Sequence, residues 1–251
     1  MNPSKKMKEV LISLALALII IGLAYLGLQA TAESPGSTAQ RIFTLLGGNI
    51  LSGGYIQGMT YFAFFWGMID IYAIKKNIAK ENKGYRLKIL PTHERHLLLA
   101  KDLVDIHLKA SNLERQSTQY LLTSLIKKAC IKFRTSNSVG QMIEIISIQT
   151  DINKEKAESE QSNIRYLTWV IPSIGFIGTV LGISSALTIA NSGDMTLITS
   201  TLGVAFDTTL ISLILSIIIM WFFHALQKDS DELHAGMKEY LIENLVNRIE
   251  V

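Results

Sequence analysis

The chain has 251 residues and a formal net charge of +3, and 49% of its residues are hydrophobic. The apolar residues are gathered in long uncharged runs, and a run of about 18 or more is long enough to cross the ~30 Å hydrocarbon core of a bilayer as a helix. This pattern excludes a wholly water-soluble domain and predicts an all-α polytopic membrane protein with four transmembrane helices, at residues 10–28, 42–69, 166–190 and 195–223.

The distribution of charge predicts which side of the membrane each segment occupies. Between residues 75 and 165 there are 17 Lys and Arg against 10 Asp and Glu, whereas the connections after the first and third spans contain only Glu33, Arg41 and Asp194. Because basic residues are retained on the cytoplasmic side, the N-terminus, the middle region and the C-terminus are predicted to be cytoplasmic. The basic residues are scattered along helical segments without interleaved aromatic residues, so we expect no nucleic-acid partner.

The first apolar run imitates a secretory signal peptide, because it follows a basic segment and precedes Ala30-Thr31-Ala32. Its length of about 19 residues exceeds the roughly 7 to 15 apolar residues of a signal sequence. We therefore expect a retained first transmembrane helix. In the second span, Gly54 and Gly58 form a GxxxG pair that lets another helix approach closely.

The remaining segments are predicted to be cytoplasmic helices. A helix that begins near Val139 has no breaker before Pro172, so the third span should continue from the cytoplasm without interruption. Beyond the fourth span, apolar residues recur at spacings of 3, 4 or 7, as in an amphipathic helix or coiled-coil seam. They are Leu226, Leu233, Met237, Leu241, Leu245 and Ile249. The last two spans should therefore extend into a cytoplasmic helical bundle.

These elements predict four divisions of the chain. The first two transmembrane helices and their short periplasmic loop occupy 1–74, and a cytoplasmic helical domain occupies 75–165. A transmembrane hairpin occupies 166–226, and a C-terminal cytoplasmic helix occupies 227–251.

The hairpin carries polar residues near its middle. Thr179 lies 13 residues after Tyr166 and Thr209 lies 14 residues before Phe223. At ~1.5 Å per residue both threonines are about 20 Å from the inner boundary, and Asp207 is about 3 Å further out. An ionisable residue is expensive at that depth in lipid, so Asp207 marks a functional-site hypothesis.

Helical phase places small residues on one face of each helix of the hairpin. Gly175, Gly178 and Gly182 form a face for close helix contact on the third span. On the fourth span a stripe of small and hydroxylated residues recurs at spacings of 3 and 4, and its members are Thr201, Ala205, Thr208, Ser212 and Ser216, with Thr209 beside them. A hydroxyl in a membrane helix commonly bonds only its own preceding turn. Matched hydroxyls at one depth on both helices, together with an aspartate, favour an ion pathway instead.

The same stretches resemble the two core helices of the MotA/TolQ/ExbB proton-channel family. The resemblance rests on residues 172–182, PSIGFIGTVLG, and residues 203–210, GVAFDTTL, and it covers 139–226. The pore threonines of the family fall on Thr179 and Thr209, with Thr208 as the alternative if the register shifts by one. Pro172 resembles the proline that opens the third helix of MotA. Four spans with a cytoplasmic insertion also resemble MotA rather than the three-span TolQ and ExbB.

The resemblance implies an assembly and a function. Five identical subunits would line a pore in the bacterial inner membrane, and two copies of a single-span partner resembling MotB, TolR or ExbD would lie in it, each with a membrane aspartate. Protons or sodium ions would pass at the interface and turn one component within the other, without a cofactor. The expected ion-pathway residues are Thr179, Thr208, Thr209, Asp207 and Ser212. The expected helix-packing residues are Gly175, Gly178, Gly182, Pro172, Gly54 and Gly58.

The chain departs from the family pattern in two respects. Residues 210–223 contain no proline, whereas MotA-type stators carry a second proline near the inner end of the last span. Asp207 is not part of the TolQ or ExbB pore pattern, and it is open to three interpretations: it joins the ion path, it caps a subunit contact, or it pairs with a cation of a partner. The resemblance therefore favours an ion-driven motor without specifying a flagellar one.

Two other classes of function compete with the motor. One is a non-conducting membrane scaffold that organises cytoplasmic partners through its long helices. The other is a self-sufficient channel or transporter, which is disfavoured because the chain has no obvious inverted repeat. No hydrolytic or nucleotide-binding constellation is present, so an enzyme is not expected. His93 and His96 are a weak metal signal without a Cys or acidic cluster beside them, and we interpret them as surface polar residues.

Overall fold

A computed structural model of the chain describes residues 3–32, 36–87, 89–91, 97–116 and 119–250, and this part of the chain is helical apart from short connections and one isolated bridge. The eight α-helices within it are α1 (Pro3–Ala30), α2 (Thr38–Leu45), α3 (Tyr55–Glu81), α4 (Ala100–Gln116), α5 (Leu121–Ser136), α6 (Val139–Glu160), α7 (Ser162–Ile189) and α8 (Met195–Asn244). The predicted all-α class is confirmed for these residues. His93 and His96 lie outside them.

The chain divides into two compact units. We call Met1–Tyr72 with Ser162–His224 the hairpin unit, and Ala73–Gln161 with Ala225–Val251 the helical unit. Helix α8 contributes residues to both, because it runs for 50 residues without interruption.

Three helical stretches among the described residues are long and apolar enough to cross a membrane: Lys6–Ala30, Val139–Ile189 and Met195–Arg248. The second of them is interrupted only at Gln161, whose dihedral angles stay in the right-handed helical region. Large apolar side chains on the hairpin face outward, among them Phe176, Ile217 and Trp221, each at least 66% exposed. Such faces are those of a membrane protein, because a soluble protein rarely leaves so much contiguous apolar surface in water.

The predicted second span is a broken helix. Helix α2 ends at Leu45, a π-helical turn occupies Ile50–Gly54, and α3 begins only at Tyr55. The chain turns at Gly47 and Gly53, where φ is +94° and +144°, values that a residue with a Cβ rarely adopts. Polar residues such as Gln57 dilute the apolar character of α3, so this helix is not among the three stretches above.

Side chains of α3 hold the broken segment in place. Gln57 donates through Nε2 to the carbonyl of Leu45, and the Tyr61 hydroxyl donates to the carbonyl of Leu46 over 3.2 Å. These two carbonyls lie at the end of α2, where no further helical turn follows to bond them. The break is therefore a bonded part of the fold.

Pro172 opens a gap in the hydrogen bonding of α7 that the neighbouring helix fills. Proline has no N–H, so the carbonyl of Thr168, four residues earlier, loses its helical donor. The Ser216 hydroxyl of α8 donates to that carbonyl over 3.4 Å. The proline thus creates a specific polar contact between the two helices of the hairpin.

The helical unit is organised around the predicted apolar seam of α8. Leu226, Leu233, Met237, Leu241 and Leu245 are all buried. Helices α4 and α5 form an antiparallel pair in which Glu114 binds Lys127 at 2.6 Å. The buried carboxylate of Glu81 accepts a 2.7 Å hydrogen bond from the backbone N–H of Leu121, at the N-terminus of α5 where a negative charge is favourable.

Cys130 offers a test of packing in the helical unit. The residue is 4% exposed, and burial raises the pKa of its thiol to about 12. Because only the thiolate reacts, we expect Cys130 of the folded protein to resist alkylation by iodoacetamide at pH 8 and to react fully in denaturant. Mass spectrometry of the two samples measures the modified fraction. Rapid alkylation of the native protein would contradict the packing.

Candidate ion-pathway site

Thr179 and Thr209 meet between α7 and α8. Their hydroxyls are hydrogen-bonded to each other, which agrees with the shared depth expected from the helical rise. The Thr209 hydroxyl lies 3.0 Å from the carbonyl of Gly175, and the Thr179 hydroxyl lies 3.3 Å from the carbonyl of Ala205. Both threonines are half-buried, so the pair lies at the edge of the helix contact with one side open. Two uncharged hydroxyls and two carbonyl oxygens therefore converge at one level.

Thr208 and Ser212 occupy a different place from Thr209. Both are buried in the contact between the two helices, at 1% and 0% exposure. Their hydroxyls bond the carbonyls of Ala205 and Thr209 on their own helix, at 2.7 and 2.9 Å. Within the hydroxylated stripe of α8, Thr208 and Ser212 therefore form a packing face, whereas Thr201 and the flanking Thr209 are partly open.

The glycines of α7 receive that packing face. A Cβ at Gly175 would clash with Ser212, one at Gly178 would clash with Thr208, and one at Gly182 would clash with Ala205. Close approach of two membrane helices needs small residues at the contact. The three glycines thus allow α8 to lie near enough for Thr179 and Thr209 to touch.

The glycine pair of the second span is placed differently from the expectation. A Cβ at Gly54 would meet the carbonyls of Gly47 and Asn49, so Gly54 packs on its own preceding turn because the helix is broken there. Gly58 has Ile21 of α1 at ordinary contact distance, 3.6 Å from an added Cβ. The close helix approach expected for both glycines is found instead at Gly48, where an added Cβ would lie 2.6 Å from the carbonyl oxygen of Ala24.

Asp207 is paired within its own chain. Its two carboxylate oxygens each accept a 2.6 Å hydrogen bond from the guanidinium of Arg41 on α2. The aspartate side chain is 2% exposed and that of the arginine is 59% exposed. A bidentate pair of this geometry combines charge attraction with fixed orientation, so it fastens α2 to the first third of α8.

Sequence reasoning did not assign Arg41. The available signal was that Arg41 is the only basic residue in the connections after the first and third spans, while Asp207 is a lone carboxylate that needs a partner at its depth. The pairing depends on the fold of α2 against α8 across 166 positions of sequence, and local patterns do not report contacts of that kind.

The fold and this site define a helical membrane protein whose hairpin brings two hydroxyls together at one level of α7 and α8. The sequence pattern of the MotA/TolQ/ExbB proton channel family matches residues 114–239, which is 126 of the 251 residues. The chain therefore belongs to the MotA/TolQ/ExbB proton channel family. The match runs from the end of α4 through the whole hairpin, so it includes Thr179, Asp207 and Thr209.

Searches of curated proteins and of solved structures find no match to this chain.

Proposed function

We propose that this protein is the channel-forming, stator-like subunit of a proton- or sodium-driven two-component rotary motor in the bacterial inner membrane. It acts as a transport component and not as an enzyme. Membership of a proton channel family supports the transport of ions. The observation that carries the assignment of the site is the contact of Thr179 with Thr209 at one level of the hairpin.

The chemistry of the pair suits an ion that has to move on. A hydroxyl both donates and accepts hydrogen bonds, so two hydroxyls and the carbonyls of Gly175 and Ala205 can solvate a proton carrier or replace part of the hydration shell of a sodium ion. They carry no net charge that would retain the ion, and conduction requires binding weak enough for release. The carboxylate that exchanges the ion belongs to a single-span partner, with two copies inside a ring of five subunits.

The proposed topology has four spans, with both termini in the cytoplasm. Helix α3 serves as the second span, and its broken start at Ile50–Gly54 lies in the outer half of the membrane. The turn between α7 and α8 is then on the periplasmic side. The helical unit lies in the cytoplasm, in keeping with the excess of basic residues between 75 and 165.

The test replaces each hydroxyl by a methyl group of the same shape. We expect Thr179→Val and Thr209→Val each to lower ion flux about tenfold, because one lost hydrogen bond of about 1.4 kcal/mol in the conducting state corresponds to that factor. The double variant should be inactive. Flux is measured as acidification, or sodium uptake, of cells that express the chain with its single-span partner.

Thr188→Val is the matched control, because the Thr188 hydroxyl bonds only the carbonyl of Ser184 in its own helix, at 3.0 Å, and is exposed. Its flux should equal that of the wild type. Normal flux in both site variants, with normal assembly, would contradict the ion pathway and favour the scaffold.

A further inference from the structure

Two cavities lead from the α7–α8 turn of the hairpin unit toward its middle. The larger, which we call the vestibule, has a volume of about 1050 Å³, and its lining combines nine residues with hydroxyl or amide side chains, Arg41, and six apolar or glycine residues. The smaller inner cavity, about 260 Å³, reaches Thr208 and Gly178. The two share four lining residues, which are Ser52, Leu197, Thr201 and Val204. Together they form a water-sized approach through the subunit to the level of the threonine pair.

This approach is separate from the open side of the threonine pair. Neither Thr179 nor Thr209 lines either cavity, whereas Thr208, on the packing face of α8, lines the inner one. A cation that entered here would reach mid-depth inside the subunit. If it continued past Thr208 it would cross without meeting the threonine pair, and in a motor that passage would dissipate the ion gradient without work.

Among the described residues that line the vestibule, Arg41 is the charged one. Both oxygens of Asp207 are occupied by the guanidinium at 2.6 Å, and the carboxylate is almost completely covered while the arginine side chain is 59% exposed. The pair is neutral as a whole, but its exposed end is the positive one. An arginine in the wall of an aqueous path raises an electrostatic barrier to cations.

We propose that Arg41 is a specificity-determining residue that closes the vestibule to cations, so that conduction is confined to the open side of the threonine pair. The inference rests on the proposed function only in explaining why the protein would need this closure. The closure itself is a property of this chain and is measurable without a partner. Asp207 has the positioning role, since it holds the guanidinium at the vestibule wall.

The experiment measures leak through the full-length chain reconstituted into liposomes that contain a trapped pH dye. An acid pulse is applied with potassium and valinomycin present to clamp the potential, and the initial rate of internal acidification is recorded per chain. We compare the wild type, Arg41→Gln, Asp207→Asn, Arg41→Gln/Asp207→Asn and Arg41→Lys.

Arg41→Gln and the double variant should acidify about tenfold faster or more, because a unit charge is lost from the cavity wall. Arg41→Lys, which keeps the cation, should stay near the wild-type rate. Asp207→Asn keeps the cation but no longer holds it at the wall, so it should leak more than the wild type and less than Arg41→Gln.

If the ion pair only stabilises the fold and Arg41 does not exclude cations, the loss of either partner should have the same effect on the leak. Equal leak in Arg41→Gln and Asp207→Asn, or wild-type leak in a double variant that assembles normally, overturns the proposal. Adding Thr208→Val to the double variant should slow the leak, since Thr208 lines the inner cavity and the change replaces its hydroxyl by a methyl group. An unchanged leak there overturns the proposed route.

A second pair of variants does not disturb the ion pair. Ser200 is exposed and lines the vestibule. Ser200→Asp brings a negative charge to the vestibule and should raise the leak, and Ser200→Asn adds no charge and is its matched control. Equal rates in these two variants overturn the proposal even if the Arg41 variants fail to fold. Failure of the Thr179 and Thr209 test leaves the leak measurements unaffected, so the two results are separable.

Discussion

Arg41→Gln is expected to destabilise the hairpin unit more than Asp207→Asn, although the two substitutions break the same ion pair. Removing Arg41 leaves a carboxylate that is 2% exposed without its counter-ion, whereas removing the charge of Asp207 leaves an arginine that is 59% exposed and can be hydrated. Breaking a fully buried pair costs about 3–5 kcal/mol. Because one partner here is solvated, we expect about 2 kcal/mol for Arg41→Gln and about 1 kcal/mol or less for Asp207→Asn.

The double variant shows whether the loss of stability comes from the missing contact or from a buried charge that is left without a partner. Arg41→Gln/Asp207→Asn should be more stable than Arg41→Gln alone, since no buried charge is left unpaired. Thermal unfolding of the purified protein in detergent at one pH and one detergent concentration gives the order of stability. Arg165→Gln is the control, because Arg165 is an exposed arginine of α7 with no ion pair among the described contacts. Equal and additive losses in the two single variants would contradict this account.

Gly182→Ala is expected to disrupt the hairpin, and Gly203→Ala is expected to leave it intact or slightly more stable. An added Cβ at Gly182 would lie 3.0 Å from the Cα of Ala205 and closer still to its side chain, whereas nothing lies within 4 Å of an added Cβ at Gly203. The first change overpacks a helix contact and should cost about 1–3 kcal/mol. The second replaces a helical glycine by a better helix former, a gain of up to about 1 kcal/mol.

The Gly182 variant should also reduce ion flux, because separation of α7 from α8 parts Thr179 from Thr209. The two alanine variants are compared by thermal unfolding in detergent and by flux in cells with the partner. A restoring change is available in the chain: Ala205→Gly removes the side chain that the new methyl group meets, so Gly182→Ala/Ala205→Gly should recover part of the stability. No recovery in the double variant would show that the helices do not meet at this pair.

The sequence alone was sufficient to predict the features that depend on the spacing of residues along one helix. The spacing of small residues indicated the contact faces of both helices of the hairpin, and the constant rise of a helix placed Thr179 and Thr209 at one level. The apolar repeat from Leu226 to Leu245 likewise indicated the buried seam of α8. Each of these features is set by the geometry of a single helix, so the local pattern contains it.

The second span shows where periodicity was not enough. The sequence suggested close helix packing at Gly54 and Gly58, but it did not predict the break in this span, where Gly47 and Gly53 adopt positive φ angles. A glycine permits either close helix packing or a turn with a positive φ angle. Which of the two occurs depends on whether hydrogen-bond partners exist for the backbone groups that a break leaves unbonded. Gln57 and Tyr61 supply such partners only once α3 lies beside the end of α2.

The chain by itself thus determined the helices, the faces they pack with and the shared level of the two threonines, because these follow from spacing along one helix. Only the tertiary structure decided the partner of Asp207, the donor for the carbonyl freed by Pro172, and the division of the hydroxyls between buried packing and an open edge. Each of these depends on which segments meet in space, and a charge, a carbonyl or a hydroxyl in the membrane takes the role that its nearest partner permits.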